Sequence, residues 1–432
     1  MISDTSIVPA TVGGPDESLR YDRWGSALLL SSAAATLSFA LVLPAPLSTF
    51  AIAAAVGLCA SGVLLPPVKS LERRGDAPVV MFLAVALVLH VGSLLTGIQT
   101  VATAFPLAAG LLLAGSNLSP VRWLGRAQVP LLLGVYLVFA VLAVRESTAV
   151  VSPLDRGVDA LLSGQNPYTH GFREMPVLLL LGAPARLLGD VRFGLVAATA
   201  AAAACMAGSR PGRAGAVSAG LLLFLPAQLI AVKDAGVEPF ITLLLALTVF
   251  CACRFPRTAP FILGLLLTAK TYLVLAVPLV VLLASLKLSA RTVAGLAWKV
   301  LLAAVLVTVP FVAWDASAFS KALMEPSTIV AGMKAPTVLG WLTLHGVPLP
   351  SWLAVPLALM AITIVLWRAA RTPSGFAAGV ALVFVTYFAF SPEAVASQYA
   401  FVLAALYISV GATGLPGVMA EATEMKSFYV KR

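Results

Sequence analysis

Charge is what this chain has least of. Asp, Glu, Lys and Arg make up only 11% of its 432 residues, against about 25% in a typical soluble domain. That scarcity excludes an ordinary soluble globular protein, because most of the chain must meet lipid or other apolar helices. The hydrophobic share is 60% and the mean hydropathy is +1.00. Period-two alternation is also missing, which excludes a membrane β-barrel. The four cysteines, Cys59, Cys205, Cys251 and Cys253, all lie inside apolar runs. No histidine stands near the Cys251/Cys253 pair to complete a zinc site, so all four read as small core residues. No grouping of Asp, Glu and His demands a metal. No cofactor is firmly implied, and a divalent ion stays open.

The net charge of +10 raises the question of nucleic acid. The basic residues, however, sit at the boundaries of apolar runs instead of on one soluble face, and no nucleic-acid-binding motif is present. Topology and anionic lipid headgroups account for them, so membrane lipids are the expected partners.

What is present is a series of apolar runs of roughly 17–25 residues, the length that crosses a hydrocarbon core as a helix. The polar residues 1–23, with Gly13-Gly14-Pro15-Asp16, read as a flexible cytosolic tail and not a signal peptide. Spans are expected at 24–44, 47–67, 78–97, 99–116 and 127–147, forming an N-terminal five-span module over 24–147. Lys69, Arg73 and Arg74, then Arg122 and Arg126, fall in alternate loops, while Pro44–Leu47 and Thr96–Thr100 are uncharged. By the positive-inside rule the N-terminus is cytosolic and 148–190 is an extracytoplasmic loop. Within it, Met175–Leu188 is apolar but short. Lying along the surface, or dipping in and returning, it leaves Arg210 and Arg213 inside.

Further spans follow at 191–208, 214–231, 236–253, 258–270, 272–286, 292–313, 351–369, 374–390 and 396–416, with a cytosolic tail at 417–432. The expected fold is an all-α polytopic membrane bundle of about 13–14 transmembrane helices, multi-pass in the plasma membrane with both termini cytosolic. The pair 258–270 and 272–286 reads as shorter than a full crossing, with Lys270 and Tyr272 at its apex. A lysine within a span costs about 2.5–3.5 kcal/mol on insertion scales, which makes Lys270 a functional candidate. The polar extracytoplasmic residues gather in 148–190, Lys233–Glu238, Lys270, Asp315–Pro350 and Ser391–Gln398. Trp314, Trp341 and Trp352 suit an interfacial aromatic belt, with sugar stacking open to Trp341.

The most informative stretch runs from Asp155 to Tyr168, DRGVDALLSGQNPY. Asp155 is suited to cap a short surface helix over Arg156–Leu162, with Asp159 on the same face. Gly164 ends the helix, Asn166-Pro167 turns the chain and Tyr168 sits at headgroup level.

An Asp in a large outer loop, a short helix and then Gly-x-Asn-Pro-Tyr resembles the GT-C glycosyltransferases. The likeness is nearest to the polyprenyl-phosphate-mannose-dependent mannosyltransferases of the GT87 type. Met175-Pro176 before an apolar run resembles the family's Pro-led juxtamembrane helix. Ala269-Lys270-Thr271-Tyr272 with Pro278 resembles a span junction, and Ser397-Gln398-Tyr399 the start of a late span. The resemblance covers 150–410. It departs in having five expected spans before the loop, where members usually have one, and in the neighbourhood His170-Gly171-Phe172-Arg173-Glu174.

The resemblance implies transfer of a sugar, mannose by analogy, from a polyprenyl-phosphate donor to a glycolipid or cell-envelope glycan acceptor. The donor is a substrate and not a cofactor. Such chemistry needs one base for the acceptor hydroxyl and cations for the departing phosphate, with inversion as the outcome. Asp155 is the candidate base and Asp159 the runner-up. Asp155 acting only as a helix cap is the plain alternative. Lys270, with Arg156 or Arg173, is the candidate phosphate site, against simple ion pairing of those arginines. Asn166, Tyr168, His170, Glu174, Tyr272, Glu238, His345, Gln398 and Tyr399 are candidate substrate contacts. A transporter or flippase of a lipid-linked saccharide is the competing reading.

Overall fold

The computed structural model describes residues 29–30, 32–37, 45–64, 128–146, 152–209, 213–283, 290–324, 337–347, 349–369, 371–391 and 394–412. The two expected tails and the spans expected at 78–97 and 99–116 lie outside the described residues. Every element among the described residues is a helix. Three are long and apolar enough to cross a membrane: Leu47–Leu64, Val191–Ser209 and Val293–Trp314. The architecture is compatible with a helical membrane protein.

Two early helices, α1 (Ala45–Leu64) and α2 (Gln128–Glu146), precede a short amphipathic helix, α3 (Pro153–Leu162). A 3-10 turn, Pro167–His170, leads to α4 (Pro176–Leu187). The main run comprises α5 (Val191–Ser209), α6 (Arg213–Leu223), α7 (Pro226–Lys233), α8 (Glu238–Arg254) and α9 (Ala259–Leu267). A long 3-10 helix, Thr271–Leu283, follows. Then come α10 (Ala290–Trp314), α11 (Ala316–Met324), α12 (Val338–Leu344), α13 (Ala354–Arg368), α14 (Pro373–Ala389) and α15 (Ala396–Ala412).

Helix α15 is the axis of the bundle: every residue from 399 to 412 is buried. It packs against α6, α8 and α14. A helix apolar on all sides must be covered on all sides, and this one is. Small residues let the backbones approach, as is usual between helices in lipid. A methyl added to Gly264 of α9 would run into the Val300 carbonyl of α10, and one on Gly379 of α14 into Val365 of α13.

Paired ends reveal the alternation. At one end Arg254 donates through Nε and Nη2 to the Gly208 carbonyl, at 3.3 and 3.1 Å, and Ser374 donates to the Ser409 carbonyl at 3.0 Å. At the other end stand Glu174, Glu238, Lys270 and Ser397. Several tryptophans are exposed on or beside these helices. Trp298 and Trp314 of α10 and Trp352 and Trp367 beside or on α13 are each at least 46% exposed. Each pair is about 22–24 Å apart along its helix, short of the roughly 30 Å of a hydrocarbon core.

Three expectations change. The run 214–231 is not one helix but breaks at Phe224–Leu225, because Pro226 lacks the N–H and crowds the preceding turn. The segment after Lys270 is wound as a 3-10 helix of 13 residues. At about 2.0 Å per residue it reaches about 26 Å, nearly a crossing, so it is longer than its residue count implied. Helix α3 begins at Pro153, not after Asp155. Ser152 is the N-cap and Pro153 takes the first helical position, where a missing N–H costs nothing.

Candidate functional site

The amphipathic helix α3 lies across α4. It buries Leu154, Gly157, Val158 and Ala160, while Arg156 and Asp159 remain exposed. The fit is close at Gly157, where an added methyl would meet Phe172 at 2.7 Å and Leu179 at 2.9 Å. This helix therefore presents a fixed polar face.

Asp155 is the third residue of that helix and closes a capping box. Its Oδ2 accepts from the Ser152 N–H at 3.1 Å and the Ser152 hydroxyl at 2.8 Å, while Ser152 Oγ accepts from the Asp155 N–H at 3.1 Å. The cap itself is thus Ser152, and Asp155 is its reciprocal partner. Both bonds to the carboxylate use Oδ2, and the residue is half-buried.

Asp159 is committed to a different partner. Arg186, at the end of α4, donates to its two oxygens at 2.6 and 2.9 Å and to the Gly189 carbonyl at 3.1 Å. The bond to Asp159 holds the Arg186 pKa above its ordinary value. Next to this pair is a shallow hollow of about 270 Å³ bordered by Arg156, Asp159, Ala160, Ser163, Gln165 and His170. His170 is fixed there by Nδ1 against the Asn166 carbonyl at 3.0 Å. Asn166 accepts the Tyr168 N–H at 3.0 Å through its side chain, and its Nδ2 is buried without a partner among the described residues.

Tyr168 is packed into the interior. It is 6% exposed, with its ring among Phe172, Phe311 and Phe319. Its hydroxyl donates to the Glu174 carbonyl at 3.3 Å. Phe311 and Phe319 are on α10 and α11, so Tyr168 ties the 152–175 segment to those helices and fixes the backbone of Glu174.

The principal charged cluster lies below that tie. Lys270 Nζ stands 3.3 Å from Glu238 Oε1 and 3.4 Å from Glu174 Oε1. Ser397 donates to the same Glu238 oxygen at 3.0 Å. Four segments thus converge: the approach to α4, the first residue of α8, the junction after α9 and the start of α15. Lys270 is 9% exposed and Glu238 3%. Glu174 differs, keeping 33% of its side chain accessible. Burial raises the Glu174 pKa, with Glu238 reinforcing the effect and Lys270 opposing it.

Lys270 thus sits between two carboxylates. Burying an ammonium demands close counter-charge, and the two glutamates supply it. Tyr272 joins this cluster, its ring centroid 5.6 Å from Nζ. Its hydroxyl is buried without a hydrogen-bond partner among the described residues. Ser397 and Arg186 are the polar partners that sequence reasoning missed. Ser397 adjoins Gln398 in the quoted Ser-Gln-Tyr stretch, and that adjacency was the available signal.

The other candidates are not part of this cluster. Gln398 accepts the Val395 N–H at 3.2 Å and serves the start of α15. Tyr399 is fully buried beside Phe388. His345 is exposed at the C-cap of α12, where its ring lies 4.2 Å from that of Trp341 and its Nδ1 is 2.8 Å from the Trp341 carbonyl. Trp341 also meets Phe50 of α1 edge-on at 5.2 Å. Arg173 is half-buried in the segment leading to α4. Among the described residues, no group of three or more His, Cys, Asp or Glu side chains is placed to hold a metal ion.

Compared with known protein families, with curated proteins and with solved structures, the chain matches none.

Proposed function

We propose that this chain is a membrane-embedded GT-C-type glycosyltransferase, acting at the extracytoplasmic face of the plasma membrane with both termini in the cytosol. It moves a sugar, mannose by the sequence resemblance, from a polyprenyl-phosphate donor to a hydroxyl of a glycolipid or envelope-glycan acceptor. The observation that carries the reading is the convergence of Glu174, Lys270, Glu238 and Ser397 at one end of an apolar bundle. They come from four segments that the charge pattern alone assigns to the same side. A buried ionised cluster in such a bundle is costly and is a functional candidate by default.

In this reaction the acceptor oxygen attacks the anomeric carbon as the carbon–oxygen bond to phosphate breaks. The electron pair leaves on the phosphate oxygen, which needs no proton. The acceptor proton passes to a base. Asp155 fills that role with the oxygen its capping box leaves open, and the hollow beside Arg156, Gln165 and His170 offers polar contacts to sugar hydroxyls. Lys270 balances the phosphate charge. The exposed apolar faces of α10 and α13 give a prenyl chain a hydrocarbon boundary to follow.

The test is a cell-free assay with a radiolabelled polyprenyl-phosphate sugar and membrane-extracted acceptor. Covalent transfer that Asp155→Asn abolishes supports the proposal. Movement of the lipid-linked sugar across vesicles without covalent transfer replaces it with a flippase. The breaks at Phe224–Leu225 and at Lys270 favour that second reading.

A further inference from the structure

We infer that Glu174 is an exchangeable occupant of the phosphate position on Lys270, which the donor must displace in order to bind. This rests on the glycosyl-transfer reading above and deepens it.

The charge count at the cluster is the starting point. One ammonium faces two carboxylates, Glu174 at 3.4 Å and Glu238 at 3.3 Å. With all three ionised, the site already carries one excess negative charge. A phosphate added on top would bring a further anion against a buried, low-dielectric cluster, where like charges repel strongly. Binding therefore requires one carboxylate to leave.

The two glutamates are not equivalent. Glu238 is the first residue of α8, is 3% exposed and is held by the Ser397 hydroxyl. Space is tight around it, for a methyl on Gly236 would meet its Oε2 at 2.7 Å. Glu174 lies between the 3-10 turn and α4, outside any regular element, with 33% of its side chain accessible. Its backbone carbonyl is anchored by Tyr168 Oη, but its side chain, unlike that of Glu238, is partly accessible. Glu238 is the permanent counter-ion and Glu174 the one that can move.

The exchange conserves charge. A polyprenyl-phosphate sugar is a phosphodiester with one negative charge, the same as the carboxylate it replaces. Tyr272, in electrostatic reach of Lys270, Glu238 and Glu174, has a buried hydroxyl without a partner among the described residues and is available to donate to the incoming oxygen. After transfer the product is a phosphate monoester, which carries about −1.5 to −2 at neutral pH. It exceeds the charge that one departing carboxylate balances, so the return of Glu174 favours product release.

The test measures binding of a short-chain prenyl methyl phosphodiester, which carries the donor's single negative charge, to the full chain in detergent micelles by calorimetry, with the matching prenyl alcohol as the uncharged control. Glu174→Gln should bind the phosphate roughly tenfold more tightly than the wild type, because a charge-assisted contact no longer has to be broken. Affinity for the alcohol should not change. Glu174→Ala should show the same gain and serves if the glutamine variant folds poorly. Lys270→Met should lose the phosphate preference. If the wild type binds the phosphate and both Glu174 variants bind it equally or more weakly, the displacement idea falls while the glycosyl-transfer reading stands. If no folded form binds the phosphodiester at all, both fall.

Discussion

Lys270 Nζ is 3.3 Å from Oε1 of Glu238, and both groups are buried. A pair like this is seldom a large net source of stability, because desolvation offsets most of the attraction. Removing one partner is another matter. Glu238→Leu should destabilise the fold by about 3 kcal/mol, the lower end for an orphaned buried charge, because Glu174 still faces the lysine. The double variant Glu238→Leu/Lys270→Met should recover much of that loss. Thermal unfolding in detergent measures both, and a double variant as unstable as the single would show that the pair itself holds the bundle together.

Asp155 and Asp159 share a helical face but not an environment. An asparagine at 155 keeps an oxygen able to accept from Ser152, so the capping box survives while basicity is lost. Asp155→Asn should therefore unfold near the wild-type temperature and lose transfer activity by at least about a hundredfold, the lower range for a general base. Asp159→Asn removes a half-exposed pair with Arg186, whose side chains are 49% and 32% accessible. Its effect on stability should stay under about 1 kcal/mol, and its effect on rate should be small. A larger rate loss at 159 than at 155 would exchange their roles.

The long apolar runs made most helices legible in the sequence. Helix α5 at Val191–Ser209 and the span expected at 191–208 nearly coincide, because a continuous apolar stretch has no other stable form in lipid. Lys270 stood out for the converse reason, as a charge between two such stretches. Glu174 and Glu238 were among the expected substrate contacts, but their pairing with Lys270 was not legible. Ser397 lies 159 residues from Glu238, and only packing brings the two together. The break at Pro226 was obscured by the unbroken apolarity of 214–231. The spacing of Ser152 and Asp155 carried the capping-box pattern, but starting the helix after Asp155 placed the cap three residues late.

The packing of α3 on α4 makes a separate prediction. Gly157 has no room for a side chain against Phe172 and Leu179. Gly157→Ala gains helix propensity of about 1 kcal/mol, but the overpacking costs about 1–3 kcal/mol. The net effect should be destabilising, and it should disturb the hollow beside Arg156 before it disturbs the main bundle. Limited proteolysis between residues 150 and 190, compared with cleavage elsewhere, reads this out. Unchanged cleavage would mean that Phe172 yields easily.

Glu174 makes the fold sensitive to pH. Its carboxyl lies in the segment before α4 and faces Lys270, Glu238, Tyr272 and Tyr168. Burial raises its pKa in the folded chain above the ordinary carboxylate value, which the unfolded chain retains. Between those two values the folded state holds the proton and the unfolded state does not. Stability must then fall as pH rises through that window, and the contribution is fully present only below it. Asp190 opposes this trend: burial acts against its charge, but hydrogen bonds from Arg192 outweigh burial and lower its pKa. Its contribution is present above the ordinary carboxylate value and is lost as pH falls through the depressed one. A single melting curve therefore mixes both signs. The difference between wild type and Glu174→Gln isolates the first, since the glutamine does not titrate and Asp190 is common to both. That difference should favour the wild type at acid pH, decline as Glu174 ionises and then level off. Parallel curves across the range from about pH 4 to pH 8 would show that Glu174 ionises as an ordinary surface carboxylate.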